Sequence, residues 1–417
     1  MKGRGRIVGG IALLGWFLIA TGSMGASRTW DNGGDRTNWF DAANWDLNVL
    51  PADGDAVVIP AGFTSIMLTN STPQLDSLTI TSSTLTFTNW NTALRATNVF
   101  VQTGAVLPHA LCNTNALLSN TNRVYVECSN LTVDAGAFID ANWVGYPGGA
   151  SGQRGQGPGG GYAGSDYSCC GGSYGGSGGK GQHGGALVTI PPYGSPYSPS
   201  DAGSGGGGSV RGGASGNGGG LIWISAAGKV TVNGTIRADG QNPVGSYSGP
   251  GAGGGIYILC RSFAGSGILE AKGAGNSGAE AGASGGGRIG VFYNAAAQAA
   301  EPAQPTATFS AMRGTIGSQG RTDHESGTVY IPDSRFLPGP LKAMFPDRIF
   351  VYGVSAWTPA AVTVTNTTVT FMEPGFQLTV TNDLLVGTSG ILSFDISNQT
   401  ANVGGNIVLT NTATFRL

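Results

Sequence analysis

Arg321, Thr322, Asp323, His324 and Glu325 form the densest run of titratable side chains in this sequence. Polysaccharide lyases and hydrolases need clustered carboxylates, often with calcium, and a basic residue to take a proton. Consecutive residues on a strand do not share a face, so His324 would point away from Asp323 and Glu325. The run reads instead as a solvated turn ahead of a strand starting near Gly327. His183 and Lys180 lie in a glycine tract with nothing to hold a catalytic geometry, and His109 follows Pro108 with no acid close in sequence. Asp31, Asp35, Asp53 and Asp55 could gather around calcium. Aspartate beside glycine is also the ordinary chemistry of turns, and that reading is favoured here. Gly179-Lys180 is not a nucleotide loop: Tyr174 stands where such a loop needs its first glycine, Gly181 follows the lysine, and no helical pattern comes after. No catalytic, cofactor-binding or metal-ligating residue is assigned.

The five cysteines are Cys112, Cys128, Cys169, Cys170 and Cys260. Their spacing does not suit zinc. Cys112 and Cys128 are the best candidates for a disulfide, since one coil of a repeating fold could bring them side by side. Cys169 and Cys170 would form a strained vicinal bridge or pair elsewhere, and the odd count leaves a thiol over.

Lys2, Arg4 and Arg6 precede an apolar run from Ile7 to Ala20 and then small residues up to Ala26. This is the layout of a secretory signal, with cleavage expected after Gly25 or Ala26. The formal net charge of −2 would become about −5 on its removal. Only 11% of residues are charged and no basic cluster follows the signal, which excludes a nucleic-acid role on electrostatic grounds. No later segment is apolar enough to span a membrane.

The elements that would position any site are β-strands. Leu78-Thr79-Ile80-Thr81, Leu85-Thr86-Phe87-Thr88, Val362-Thr363-Val364-Thr365 and Leu378-Thr379-Val380-Thr381 alternate apolar and polar residues with a period of two. Flat ranks of such threonines would be an ice-binding surface; their irregular spacing argues for ordinary strand faces. No convincing helical stripe is present. Of 74 glycines, 50 lie between Gly145 and Gly290. Three triplets, Gly218–Gly220, Gly253–Gly255 and Gly285–Gly287, each lead into a β-rich run, starting 35 and then 32 residues apart. A repeat at that spacing predicts a solenoid. A second repeat, Ile139-Asp140-Ala141, Ile236-Arg237-Ala238-Asp239-Gly240 and Leu269-Glu270-Ala271-Lys272-Gly273, supports it, with Val232 and Ile236 pointing inward. The glycine excursions, such as 145–185 and 240–255, are too poor in side chains to form a core. They either flex or pack as extended glycine helices. Tyr162, Tyr167, Tyr174, Tyr193, Tyr197 and Tyr247 in these loops either stack on sugars or pin the loops down.

The opening segment, Trp30-Asp31-Asn32-Gly33-Gly34 through Asn38-Trp39-Phe40, Asn44-Trp45 and Pro51-Ala52-Asp53-Gly54-Asp55-Ala56-Val57-Val58-Ile59, resembles the start of large secreted bacterial proteins similar to autotransporter passenger domains. That resemblance implies an aromatic cap on the first coil of a right-handed parallel β-helix. The body resembles the glycine-rich β-helical repeats of bacterial surface proteins, and Ser326–Ile331 resembles a strand found after such blocks. Passenger-like proteins usually continue into an anchor; no hydrophobic tail or sorting motif is recognised, and Thr414–Leu417 reads as the inside of a strand.

The expected protein is therefore an all-β, right-handed parallel β-solenoid with glycine-rich loop excursions. Its segments are a signal peptide (1–26), an N-terminal cap with first coils (27–144), a glycine-rich body (145–294), a linker-like stretch (295–305) and Thr-rich C-terminal coils (306–417). Its expected role is structural or adhesive at a cell surface, without a cofactor, in contact with polysaccharide or other surface components. The alternative is a polysaccharide-active or polysaccharide-binding protein on the same scaffold. Acidic and basic side chains clustered on one face of adjacent coils would favour the enzyme, and an aromatic strip without such a cluster would favour binding.

Overall fold

The computed structural model describes residues 25–112, 122–164, 168–183, 186–245, 247–275, 281–315, 324–394 and 396–416. The signal-like segment up to Met24 lies outside them, as do Arg321, Thr322 and Asp323. Alternating sequences form short strands, and a 15-stranded sheet of parallel neighbours runs along the molecule. Each turn of the chain lays a like residue on a like residue. Val57, Leu78, Val99, Leu131, Val230 and Phe263 stack in register, as do Val124, Ile222, Ile256, Ile289, Val329, Val351 and Phe371. All of these are buried. Opposite them, Leu107, Ile139, Ile236, Leu269 and Phe309 form the facing stack on a second, five-stranded sheet. Toward the C-terminus a pair of three-stranded sheets, containing Val362–Val364 and Gln377–Val380, closes the coil instead. Burying these rows from water is the main stabilising term, about 25 cal/mol per Å² of apolar surface.

Coil length follows the side chains available. Val57, Leu78 and Val99 are 21 residues apart, and Leu384 and Ile407 are 23 apart. In the body, Ile222, Ile256 and Ile289 are separated by 34 and 33 residues. The three glycine triplets do lead into adjacent, in-register strands, Leu221–Ala226, Gly255–Leu259 and Arg288–Phe292. One coil is far longer: Leu131 pairs with Val230, and the intervening chain is the largest glycine excursion.

The excursions are ordered and packed, the second of the two sequence readings. Most of their described glycines are buried, and their amides bond in several directions rather than to two neighbours as in a sheet. Gly206 N–H donates to Gly216 (3.0 Å), Gly207 to Cys170 (3.0 Å), Gly205 to Gln156 (3.1 Å), while Gly249 donates to Gly207 (2.8 Å). The single segment 202–208 is thus tied to four others. With no side chains between them, backbones approach until carbonyl and amide meet. A Cβ on Gly206 would strike the Gly249 carbonyl, and one on Gly249 would strike that of Cys170. Only glycine fits such a lattice, just as only glycine fits the axis of collagen.

At the N-terminal end, Trp30, Trp39 and Trp45 are buried together. Trp45 meets Trp30 at 5.1 Å and Trp39 at 4.7 Å, edge to face, and its indole N–H donates to the Trp39 carbonyl at 2.7 Å.

Two expectations need correction. The linker-like stretch begins with a short helix, Ala295–Ala299, capped by the Asn294 side chain on Ala297 N–H. The fully buried Gln298 exchanges hydrogen bonds with both the amide (2.8 Å) and the carbonyl (3.0 Å) of Phe263, so the stretch is docked onto the coil edge. No disulfide joins any of the described cysteines. Cys128 sits on the long sheet beside Ala96 and Ala226, whereas Cys112 follows the second sheet and bonds backbone to Val144, so the two lie on different faces of the coil. The threonine pairs sit on ordinary strand faces, as their irregular spacing predicts, and form no ranks. Thr79 lies beside Phe100, Thr86 beside Met67, Thr363 beside Leu385 and Thr379 beside Asn402.

Candidate functional site

The outward residues of the long sheet carry an aromatic ladder. Tyr125, Trp223 and Tyr257 are in register on three successive strands. The next register position is Gly290, and the ring of Phe292 occupies the space a side chain there would need. Tyr330 and Tyr352 continue the row. Successive ring centroids lie 6.1, 4.8, 5.1 and 4.3 Å apart from Tyr125 to Tyr330. This tracks the strand spacing of ~4.8 Å. Mostly edge-to-face packing ties the coils together, and each ring is half-buried. Tyr197 reaches over from a glycine-rich excursion, 5.7 Å from Tyr330 and 5.5 Å from Tyr352, and donates its hydroxyl proton to Glu373 (3.0 Å). At the other end the Arg123 guanidinium lies 4.0 Å over Tyr125, 4.5 Å over Trp90 and 4.6 Å over Trp223. Its Nε donates to the Trp90 carbonyl, which compensates some of the cost of burying it. Burial, then Glu127, pushes the Tyr125 phenol up to about 12, so this rung stays protonated across the physiological range.

The five-stranded sheet carries the second constellation. Asp140, Arg237 and Glu270 are in register on adjacent strands, followed by Ser310. Two residues on stand Asn142, Asp239 and Lys272. Arg237 donates to Asp140 at 2.6 Å, Lys272 Nζ to Glu270 at 2.7 Å, and the Lys272 amide to Asp239 at 2.7 Å. Burial raises the Asp239 carboxyl to about 6. A carboxyl titrating there beside an ammonium has the attributes of a general acid or base. The cations, however, are already bonded to carboxylates, so the arrangement staples coils rather than facing a substrate. The Arg237–Asp140 pair crosses between strands and stabilises the sheet by up to about 1 kcal/mol, whereas Lys272 and Glu270 are neighbours within one coil. The sequence held the signal: a charged residue, alanine and a second charged residue recur in the Ile236 and Leu269 repeats, and alternate residues on a strand share a face.

The residues singled out from sequence are placed as follows. His324 is buried and its Nε2 meets the Gly314 carbonyl at 2.9 Å; Glu325 is exposed and accepts from Ser177 Oγ at 3.0 Å. The remainder of that run, and the side chains of Lys180 and His183, lie outside the described residues. His109 is fully buried, its Nδ1 bonded to the Ala110 carbonyl (2.7 Å) and its Nε2 accepting from the Leu221 amide (3.2 Å). Asp31 and Asp35 serve local turns, while Asp53 and Asp55 also tie their turn to neighbouring segments of the first coils, Asp55 pairing with Arg28 as well. Asp35 accepts from the amides of Thr37 and Asn38, Asp31 from Gly33, Asp53 from Gln74, and Asp55 from Ala26 and Ala52. Of the loop tyrosines, Tyr174, buried, and Tyr193, half-buried, lie 4.9 Å apart and pin the excursions down, with Tyr193 donating to the Ala202 carbonyl.

The coils nearest the tryptophan cluster have a known counterpart. Residues 44–111 match the model of the G8 domain. The match spans three long-sheet strands, Ala56–Ile59, Leu75–Ile80 and Leu94–Val101, each followed by a short strand opposite. This domain match and the parallel sheet are together compatible with a β-helix-like protein. No curated protein and no solved structure matches the chain.

Proposed function

We propose that this chain is a secreted, right-handed β-solenoid of a bacterial cell surface, akin to the passenger-like proteins its opening resembles, and that it works by contact rather than chemistry. The aromatic ladder from Tyr125 to Tyr352 carries this reading. It is a half-buried aromatic strip across six strands, and no single rung is indispensable. Sugar rings pack on aromatic rings through their C–H faces, so polysaccharide is the favoured contact. The charged rows on the other sheet would favour an enzyme if they were unsatisfied; their mutual pairing supports a structural role instead.

The test is adhesion under flow. Beads carrying the chain should be retained on a polysaccharide-coated surface, and the double change Trp223→Ala and Tyr257→Ala should lower the detachment force without abolishing it. Retention no better than that of bare beads would contradict the proposal.

A further inference from the structure

We infer that the cleft between Arg313 and Arg348 is a binding site for the carboxylate or sulfate groups of an acidic polysaccharide. The cleft encloses about 610 Å³ and opens between the end of the five-stranded sheet and the start of the Arg348–Tyr352 strand. Its rim includes Asn366, Thr368 and Ser389, whose amide and hydroxyl groups suit a sugar. Asp347 is the one carboxylate among its described lining residues, and it already accepts from Ser310 Oγ at 2.8 Å. Further back on the same sheet, Arg237 is bonded to Asp140 and Lys272 to Glu270. At Arg313 and Arg348 that matching stops. Arg313 donates through Nη1 to the His324 carbonyl (3.2 Å), which fixes the side chain; its other guanidinium donors have no partner among the described residues. Arg348 is exposed and lies over the Phe350 ring (5.5 Å). Neither forms an ion pair among the described residues. Burial, and then the positive charge of Arg348, lowers the Arg313 guanidinium below its ordinary value. A bound anion would relieve that repulsion. Planar guanidinium groups match carboxylate and sulfate in geometry as well as charge, through paired N–H···O bonds.

This inference deepens the contact reading by naming a ligand class; it rests on different side chains from the ladder, although Arg348 opens the strand that ends at the ladder residue Tyr352. The experiment measures binding of polygalacturonate, dextran sulfate and neutral dextran by the whole chain, at low and high salt, for wild type, Arg313→Gln/Arg348→Gln and Arg313→Lys/Arg348→Lys. The site predicts that the acidic polymers bind wild type more tightly, with affinity falling as salt rises. The glutamine pair should lose roughly tenfold for them, the lysine pair less, and neither should change neutral dextran binding or the melting temperature. Failure of wild type to prefer acidic polymers, unchanged affinity in the folded glutamine pair, or equal affinity for free inorganic sulfate would overturn it. Loss of neutral binding by ladder variants alone would bear on the contact reading and leave this site standing.

Discussion

His109 and Leu221 are 112 residues apart in sequence, and the His109 Nε2 accepts the Leu221 amide proton at 3.2 Å. The bond joins the coil before the great glycine excursion to the coil after it. Gly220 makes room: a Cβ there would strike the imidazole. Gly220→Ala should therefore destabilise the fold by an overpacking cost of about 1–3 kcal/mol. Calorimetric or dichroic melting would register this as a clear fall in Tm, and an unchanged Tm would mean the contact is slack.

The same histidine gives the chain an acid sensitivity. Burial holds it neutral, with its pKa lowered from 6.5 to about 4. The unfolded chain takes up a proton in that interval and the folded one does not. Its contribution is thus complete above about pH 6.5 and lost as the pH falls toward 4, worth roughly 3 kcal/mol. His109→Gln should flatten this region of the stability profile.

Asp239 works in the opposite sense. Its folded carboxyl, raised by burial to about 6 from 3.8, keeps a proton that the unfolded chain releases. The stability it provides is present below about pH 3.8 and is lost as the pH rises through 6. Asp239→Asn should raise Tm more at pH 7 than at pH 4. A pH-independent difference would mean that Lys272, rather than burial, controls the group.

The lattice of glycines predicts an unusual intolerance. Gly206→Ala and Gly249→Ala add one methyl each, yet both methyls meet backbone carbonyls that cannot rotate away. Each should cost at least as much as an overpacked core residue, about 3 kcal/mol. Gly62→Ala, where nothing lies within 4 Å of an added Cβ, provides a contrast, its cost confined to the strain of φ +108°. Similar melting curves for all three would refute the lattice.

Much of the scaffold was legible because β periodicity and glycine are strong local signals. Alternation located strands such as Leu78–Ile80, the triplets located three adjacent rungs, and Val232 and Ile236 are both fully buried as expected from their pattern. Val232→Asp should unfold the body, since burying an unpaired carboxylate costs several kcal/mol. The ladder was not legible, because register decides which aromatic meets which. Tyr125 and Trp223 are 98 residues apart, and Phe292 reaches its rung only through the gap at Gly290. The excursions resisted reading for a related reason: their order comes from backbone bonds between distant segments, which leave no side-chain pattern.

The most direct test of contact without chemistry is one co-sedimentation titration of the chain with insoluble polysaccharides, with reducing ends and unsaturated uronates measured in the supernatant. The account predicts saturable binding, weakened by Trp223→Ala with Tyr257→Ala, and no new ends at any time. Appearance of products that survives the ladder changes but is lost in Asp239→Asn would contradict it and make the charged rows an active site.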